Sequence, residues 1–210
     1  MKEYSKIQTV FLRNPDDKFK TLLIGQFALP EFEYLSNAIW EYTEKVDGTN
    51  IRIIWTNSKF IFRGKSEKSD IPGQLIENLD NKFSILKDKF SELFKDNNVC
   101  LYGEGYGGYI QKAGKSYRSD CGFVLFDVKI GDWWLQRKDV EDIAETFGID
   151  IIPVIGKGTL WDMVDIVKKG FRSKWNKDFI AEGIVARPKT ELKTRRGDRI
   201  ITKLKYKDFN

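Results

Sequence analysis

The sequence contains no histidine. That excludes Ser-His-Asp and Cys-His nucleophile arrangements and the HExxH zinc site together. Nucleophilic or acid–base work must fall to Lys, Asp, Glu, Tyr, Cys or a metal ion. Cysteine is scarce as well. Cys100 and Cys121 show neither CxxC spacing nor a zinc pattern, and they read as reduced core residues of a cytoplasmic protein. No apolar run reaches the roughly 18 residues of a membrane span, so no membrane association is expected. The opening MKEYSKIQTV is too polar for a secretion signal. Repeats, low-complexity stretches and linkers are missing too.

What is present suits a globular chain. With 210 residues, 41% of them hydrophobic and 32% charged, one domain, or at most a domain with a small appendage, is expected, with enough apolar residues to build a core. The formal charge of +5 is unevenly placed. From Arg187 to Lys207 nine basic residues face two acids, a local +7 that leaves the remainder slightly negative. A basic segment of this kind points to phosphate or nucleic acid, or to a solvated strand pair.

Hydrophobic periodicity predicts a mixed order of elements. Ile51–Trp55 and Lys59–Arg63 read as a β-hairpin. Leu75, Leu79, Phe83, Leu86, Phe90 and Phe94 predict one helix over about 72–95. Strands are expected at 99–102 and 122–130, with a turn at Gly131-Asp132 and a return at Trp133. A helix over 137–147 should end at Gly148. Then come a strand at 151–155 and a helix over Leu160 to Lys169, with the polar stretch to about Asp178 open to continuing it or not. Strands at 179–187 and 199–206 close the chain. Hairpins mixed with helices favour an α+β fold of antiparallel sheets over a doubly wound one.

Five short motifs carry chemistry. Lys45-Val46-Asp47-Gly48 puts a lysine ahead of a tight turn and a buried-looking strand. A free lysine, pKa ~10.4, is neutral in only about one copy in a thousand near neutrality. To act as a nucleophile it must be desolvated or set beside other cations. Alone, the motif is short and reads more readily as a surface turn with Lys and Asp in water. Tyr102-Gly103-Glu104-Gly105 ends a strand with a carboxylate between glycines, where a ligand can come close. Phe126-Asp127 lies on an apolar strand, and alternation puts the two on opposite faces. Glu182-Gly183-Ile184-Val185 places an acid at a strand start, suited to a divalent cation. Lys203 and Lys205 lie two apart on the last strand and point the same way. Like charges on one face are unfavourable unless an anion lies between them. Gly108 to Ser116 imitates a Walker A loop but has five residues between its glycines where four are needed. It reads as a polar loop near nucleic acid.

The ordered set resembles the covalent nucleotidyltransferase superfamily of ATP-dependent RNA and DNA ligases and mRNA capping enzymes. KVDG, YGEG, LFDV, EGIV and KLK occur in that superfamily's order across residues 45 to 205. KVDGTN followed by a strand-borne arginine is most similar to RNA ligase 2-type enzymes. The resemblance implies an adenylation domain of antiparallel sheets flanked by helices, with the nucleotide pocket between the sheets, formed by residues 1–210. Residues 1–40 have no assigned role, and no C-terminal OB-fold or helical domain is expected. It also implies that Lys45 takes AMP from ATP as lysyl-AMP, passes it to a 5′-phosphate, and that a 3′-hydroxyl then displaces AMP. Lys203, Lys205 and Glu182 would serve the reaction with Mg²⁺ or Mn²⁺. Glu44, Asn50, Arg63, Glu104 and Phe126 would contact the nucleotide or polynucleotide ends, and Asp127 is a second metal candidate beside Glu182. RNA is the expected partner, as a nicked duplex, a hybrid or free ends, with a partner protein supplying any further domain. A minimal DNA ligase is the alternative enzyme. A nucleic-acid-binding module with a relict nucleotide pocket is the alternative of another class.

Overall fold

The computed structural model describes residues 3–209. The chain divides into two compact units, one formed by Met1–Tyr4 and Asp47–Ile152, the other by Ser5–Val46 and Pro153–Asn210.

The first unit is a six-stranded sheet. Its path runs Asp150–Ile151, Cys121–Ile130, Val99–Gly107, Thr49–Thr56, Lys59–Arg63, with Trp133–Trp134 pairing Cys121–Ile130. All neighbours are antiparallel except Asp150–Ile151, which runs parallel to its partner. Ile51, Ile53 and Trp55 alternate onto one face and are buried with Leu75, Leu79, Phe83 and Phe90 of the helices. The expected long helix is two, Gly73–Ser84 and Lys87–Phe94. The Leu86 N–H bonds the Phe83 carbonyl at 3.0 Å, a tighter i→i+3 turn that ends the first helix and leaves Ile85 exposed. Helix Arg137–Phe147 ends where predicted, on Gly148 at φ 61°.

The second unit is a five-stranded sheet in the order Gln8–Thr9, Thr202–Lys205, Gly183–Pro188, Trp40–Lys45, Val154–Gly158, with a hairpin of Phe11–Arg13 and Leu22–Phe27. Gln8–Thr9 is parallel to its neighbour and the rest are antiparallel. Its separate core joins Phe11, Trp40, Tyr42, Ile184 and Leu204 with Met163 and Val167 of helix Leu160–Lys169. That helix stops at Gly170, φ 75°, so the polar stretch after it does not continue the helix; it folds back through an Arg172–Ile180 bridge. The strand expected at 151–155 is two, interrupted at Ile152-Pro153, one in each unit. Residues 1–40 gain a structural role: most of them build the edge strand, hairpin and short helix Pro30–Tyr34 of the second unit. No helix among the described residues is long and apolar enough to cross a membrane.

Candidate active site

Sheet register assembles the sharpest cluster. Strand Gly183–Pro188 lies between Trp40–Lys45 and Thr202–Lys205, with Gly183 opposite both Lys45 and Lys205. Glu182, just ahead of that strand, therefore reaches both lysines. Its carboxylate accepts from Lys45 Nζ at 2.8 Å and from Lys205 Nζ at 2.6 Å, and all three side chains are partly buried. Two ammonium groups share one carboxylate, so the cluster keeps an excess positive charge suited to phosphate. Lys203 sits one pleat away on the same face as Lys205.

Gly183 makes this geometry attainable. A Cβ there would overlap the Leu204 carbonyl oxygen, and its φ is +158°. Beyond it, Asp208 accepts from the Lys205 N–H at 2.9 Å and from the Arg13 guanidinium at 2.8 Å, which fixes the end of the last strand.

Glu44 precedes Lys45 and so points to the opposite face. It is 1% exposed, and its carboxylate accepts from Ser173 Oγ at 2.6 Å and the Lys174 N–H at 2.8 Å. Burial pushes its carboxyl above the usual range, and those two bonds partly oppose this. This side chain, expected to contact the nucleotide, is placed here as an anchor for the Ser173-Lys174 segment. Its partners lie 129 and 130 residues away.

In the first unit the turn after the lysine motif is held by the loop that imitates a Walker A sequence. The Asp47 N–H donates to Tyr117 Oη at 3.1 Å, and Gln111 Nε2 donates to the Gly48 carbonyl at 3.3 Å. The only helix in this loop is Gly114–Tyr117, four residues, so no P-loop forms. A Cβ on Gly48 would overlap the Gly105 carbonyl, which explains the glycine on physical grounds. Asn50 stands opposite Glu104 across paired strands. The Asn50 side-chain oxygen is buried with no hydrogen-bond partner among the described residues, an acceptor that a ligand hydroxyl could fill.

Phe126 and Asp127 do not alternate as expected. The register between Val99–Gly107 and Cys121–Ile130 slips at Tyr102/Gly103, leaving Phe126 as the extra residue of a β-bulge. Both residues consequently meet Tyr4: its ring lies 5.0 Å from Phe126, edge on, and its hydroxyl donates to Asp127 Oδ2 at 2.6 Å. Asp127 is fully buried. Asp127, expected as a metal candidate, is placed here as a buried acceptor for Tyr4. Arg63 is exposed and pairs with Glu67 at 3.3 Å, while Arg52, fully buried, binds Glu67 at 2.9 Å and the Gly64 carbonyl at 3.0 Å. Arg52 thus pins the loop after Arg63.

Among the described residues no group of three or more acids and cysteines could hold a metal ion by itself. Glu182 still fits a hard divalent cation in one way. Mg²⁺ is commonly bound through one or two carboxylates with substrate phosphates completing the shell, and the two lysines beside Glu182 suit those phosphates.

Comparison with known proteins gives a consistent result. The sequence profile of the family described as RNA ligase matches residues 38–205. Among solved structures, an apo mutant of Naegleria gruberi RNA ligase superposes with a TM-score of 0.65 at 15% identity, covering 99% of this chain and 58% of that one. A mutant of the same enzyme with ATP and Mn gives 0.65 at 16%, covering 98% and 59%. The enzyme with PPi gives 0.65 at 17%, covering 97% and 57%. The chain thus spans somewhat over half the length of these structures. The comparison with curated proteins returns no match.

Proposed function

The chain belongs to the RNA ligase family, and on that premise we propose that it is an ATP-dependent RNA ligase whose Lys45 carries AMP. The observation that supports this reading is the single carboxylate of Glu182 shared by Lys45 and Lys205.

An ammonium has no lone pair, so Lys45 must give up a proton and its pairing with Glu182 before it attacks. Nζ then forms a bond to the α-phosphorus of ATP while the bond to the pyrophosphate oxygen breaks. Lys205 and Lys203 neutralise charge building on the phosphate oxygens, the kind of fixed electrostatic stabilisation that contributes most in acyl and phosphoryl transfer. A Mg²⁺ or Mn²⁺ ion held by Glu182 together with phosphate oxygens would add charge neutralisation at phosphorus. By the family's pattern Glu104 accepts from the ribose hydroxyls, Phe126 stacks on adenine, Asn50 offers its buried amide oxygen, and Arg63 serves phosphate or a polynucleotide end. AMP passes from Lys45 to a 5′-phosphate, and a 3′-hydroxyl displaces it to form the phosphodiester.

The test is joining. With ATP and Mg²⁺ or Mn²⁺, the protein should seal a nicked RNA duplex and accumulate 5′-adenylated strand when the 3′-hydroxyl is removed. Sealing of DNA nicks alone would replace RNA with DNA as substrate. Absence of adenylated strand on any substrate would overturn the reading.

A further inference from the structure

The strand bearing the Glu182 motif and the last strand, with its lysine pair, are joined by an arm over residues 189–201. It is a fixed structure. The Thr194 N–H bonds the Asp198 carbonyl at 2.8 Å, and the Gly197 N–H bonds the Thr194 carbonyl at 2.9 Å, with Gly197 at φ +84°. Thr194 Oγ1 also accepts from the N–H groups of Arg196 and Asp198, each at 3.3 Å. At the base, the Ile200 N–H bonds the Leu192 carbonyl at 3.0 Å, and both side chains join the unit's core. A Lys193–Arg199 bridge closes the hairpin.

The arm's charges are one-sided. Arg199 is held by Glu191. Lys189, Lys193, Arg195 and Arg196 are all exposed, and among the described residues none of the four has a side-chain ion pair. Asp198 is the remaining acid. Surfaces normally intersperse both signs, and like charges held close on a hairpin repel. Four such cations on a stiff arm are relieved by a polyanion. The limb from Lys189 to Arg195 bends at Lys189-Thr190 and turns at Arg195-Arg196, so its reach is at most about 20 Å. Such a reach allows contact with several phosphates of a duplex strand, which advance about 3.4 Å each along the helix axis. Residues 189–199 hold no aromatic side chain to stack on a base. Contacts of this kind fix position without reading sequence.

We propose that this arm is a docking surface for the phosphate backbone of the polynucleotide substrate. The proposal rests on the ligase reading and adds the surface by which the substrate is held. It makes binding insensitive to base sequence and strongly dependent on salt. It also separates polynucleotide binding from AMP loading.

The test uses the full chain with Lys193→Glu, Arg195→Glu and Arg196→Glu combined, and a milder Arg195→Ala/Arg196→Ala pair. The affinity for a 5′-phosphorylated nicked RNA duplex is measured over a range of salt, alongside labelling by α-labelled ATP. The triple variant should bind at least about 100-fold more weakly at low salt. Its plot of log K against log salt should flatten by about 2–3, the loss expected for three phosphate contacts. The alanine pair should fall between it and wild type, and both should take label as wild type does. Wild-type affinity and slope in the triple variant overturn the arm proposal, as does tighter binding of polyglutamate than of RNA by wild type. If wild type takes no label yet the variants lose RNA affinity, the ligase reading fails and the arm stands.

Discussion

Lys45, Glu182 and Lys205 were legible one by one because each is a chemically costly residue type at a strand end, and their order matched a known pattern. Their supporting partners were not. Tyr4 meets Asp127 across 123 residues, Ser173 meets Glu44 across 129, and Arg13 meets Asp208 across 195. Nothing local in the sequence encodes such pairings. At this scale Lys205→Ala should lower the rate of AMP loading by about 10²–10³, the effect of removing one group that stabilises developing charge; single-turnover labelling measures it, and an unchanged rate would remove Lys205 from the site. Tyr4→Phe keeps the ring but withdraws a donor from a fully buried carboxylate, so urea denaturation should show a loss of about 1–3 kcal/mol. Glu44 gives a pH effect of defined sign. Its carboxyl is raised from 4.5 in the folded state, so its contribution is full below that value and is lost as pH rises through the higher folded value. Glu44→Gln removes this dependence, and its stability relative to wild type should therefore improve on going from acid to neutral pH. A difference independent of pH would refute the assignment.

Strands and helices were legible where periodicity is strong, as in Ile51–Trp55 and the helix ending at Gly148. Breaks inside a periodic run were not. The apolar spacing continues through Ile85-Leu86 although the hydrogen bonding tightens there, and the bulge at Phe126 leaves the apolar composition of its strand unchanged. Register mattered most for the site, since it alone brings Gly183 level with both lysines. Gly183→Ala should force the paired strands apart. A cost of about 1–3 kcal/mol is expected, as for overpacking in a filled interior, with a fall in AMP loading larger than the fall in melting temperature explains. Thermal denaturation with parallel labelling reports both. A variant with wild-type labelling would show that the Leu204 contact is not what positions Glu182.

At the scale of the whole molecule, the described residues form two cores where composition suggested one. Ile51 to Ile149 contribute the first and Val10 to Leu204 the second, and each closes around its own sheet. The length and apolar fraction of the sequence cannot distinguish one core from two, because the second unit is assembled from both ends of the chain. The proposed chemistry starts from one covalent event. The most direct measurement is incubation of the full chain with α-labelled ATP and a divalent cation, followed by peptide mapping of the acid-labile label. The label should reside on Lys45 and vanish in Lys45→Ala. Equal labelling of Lys45→Ala, or label mapped to another residue, would contradict the account.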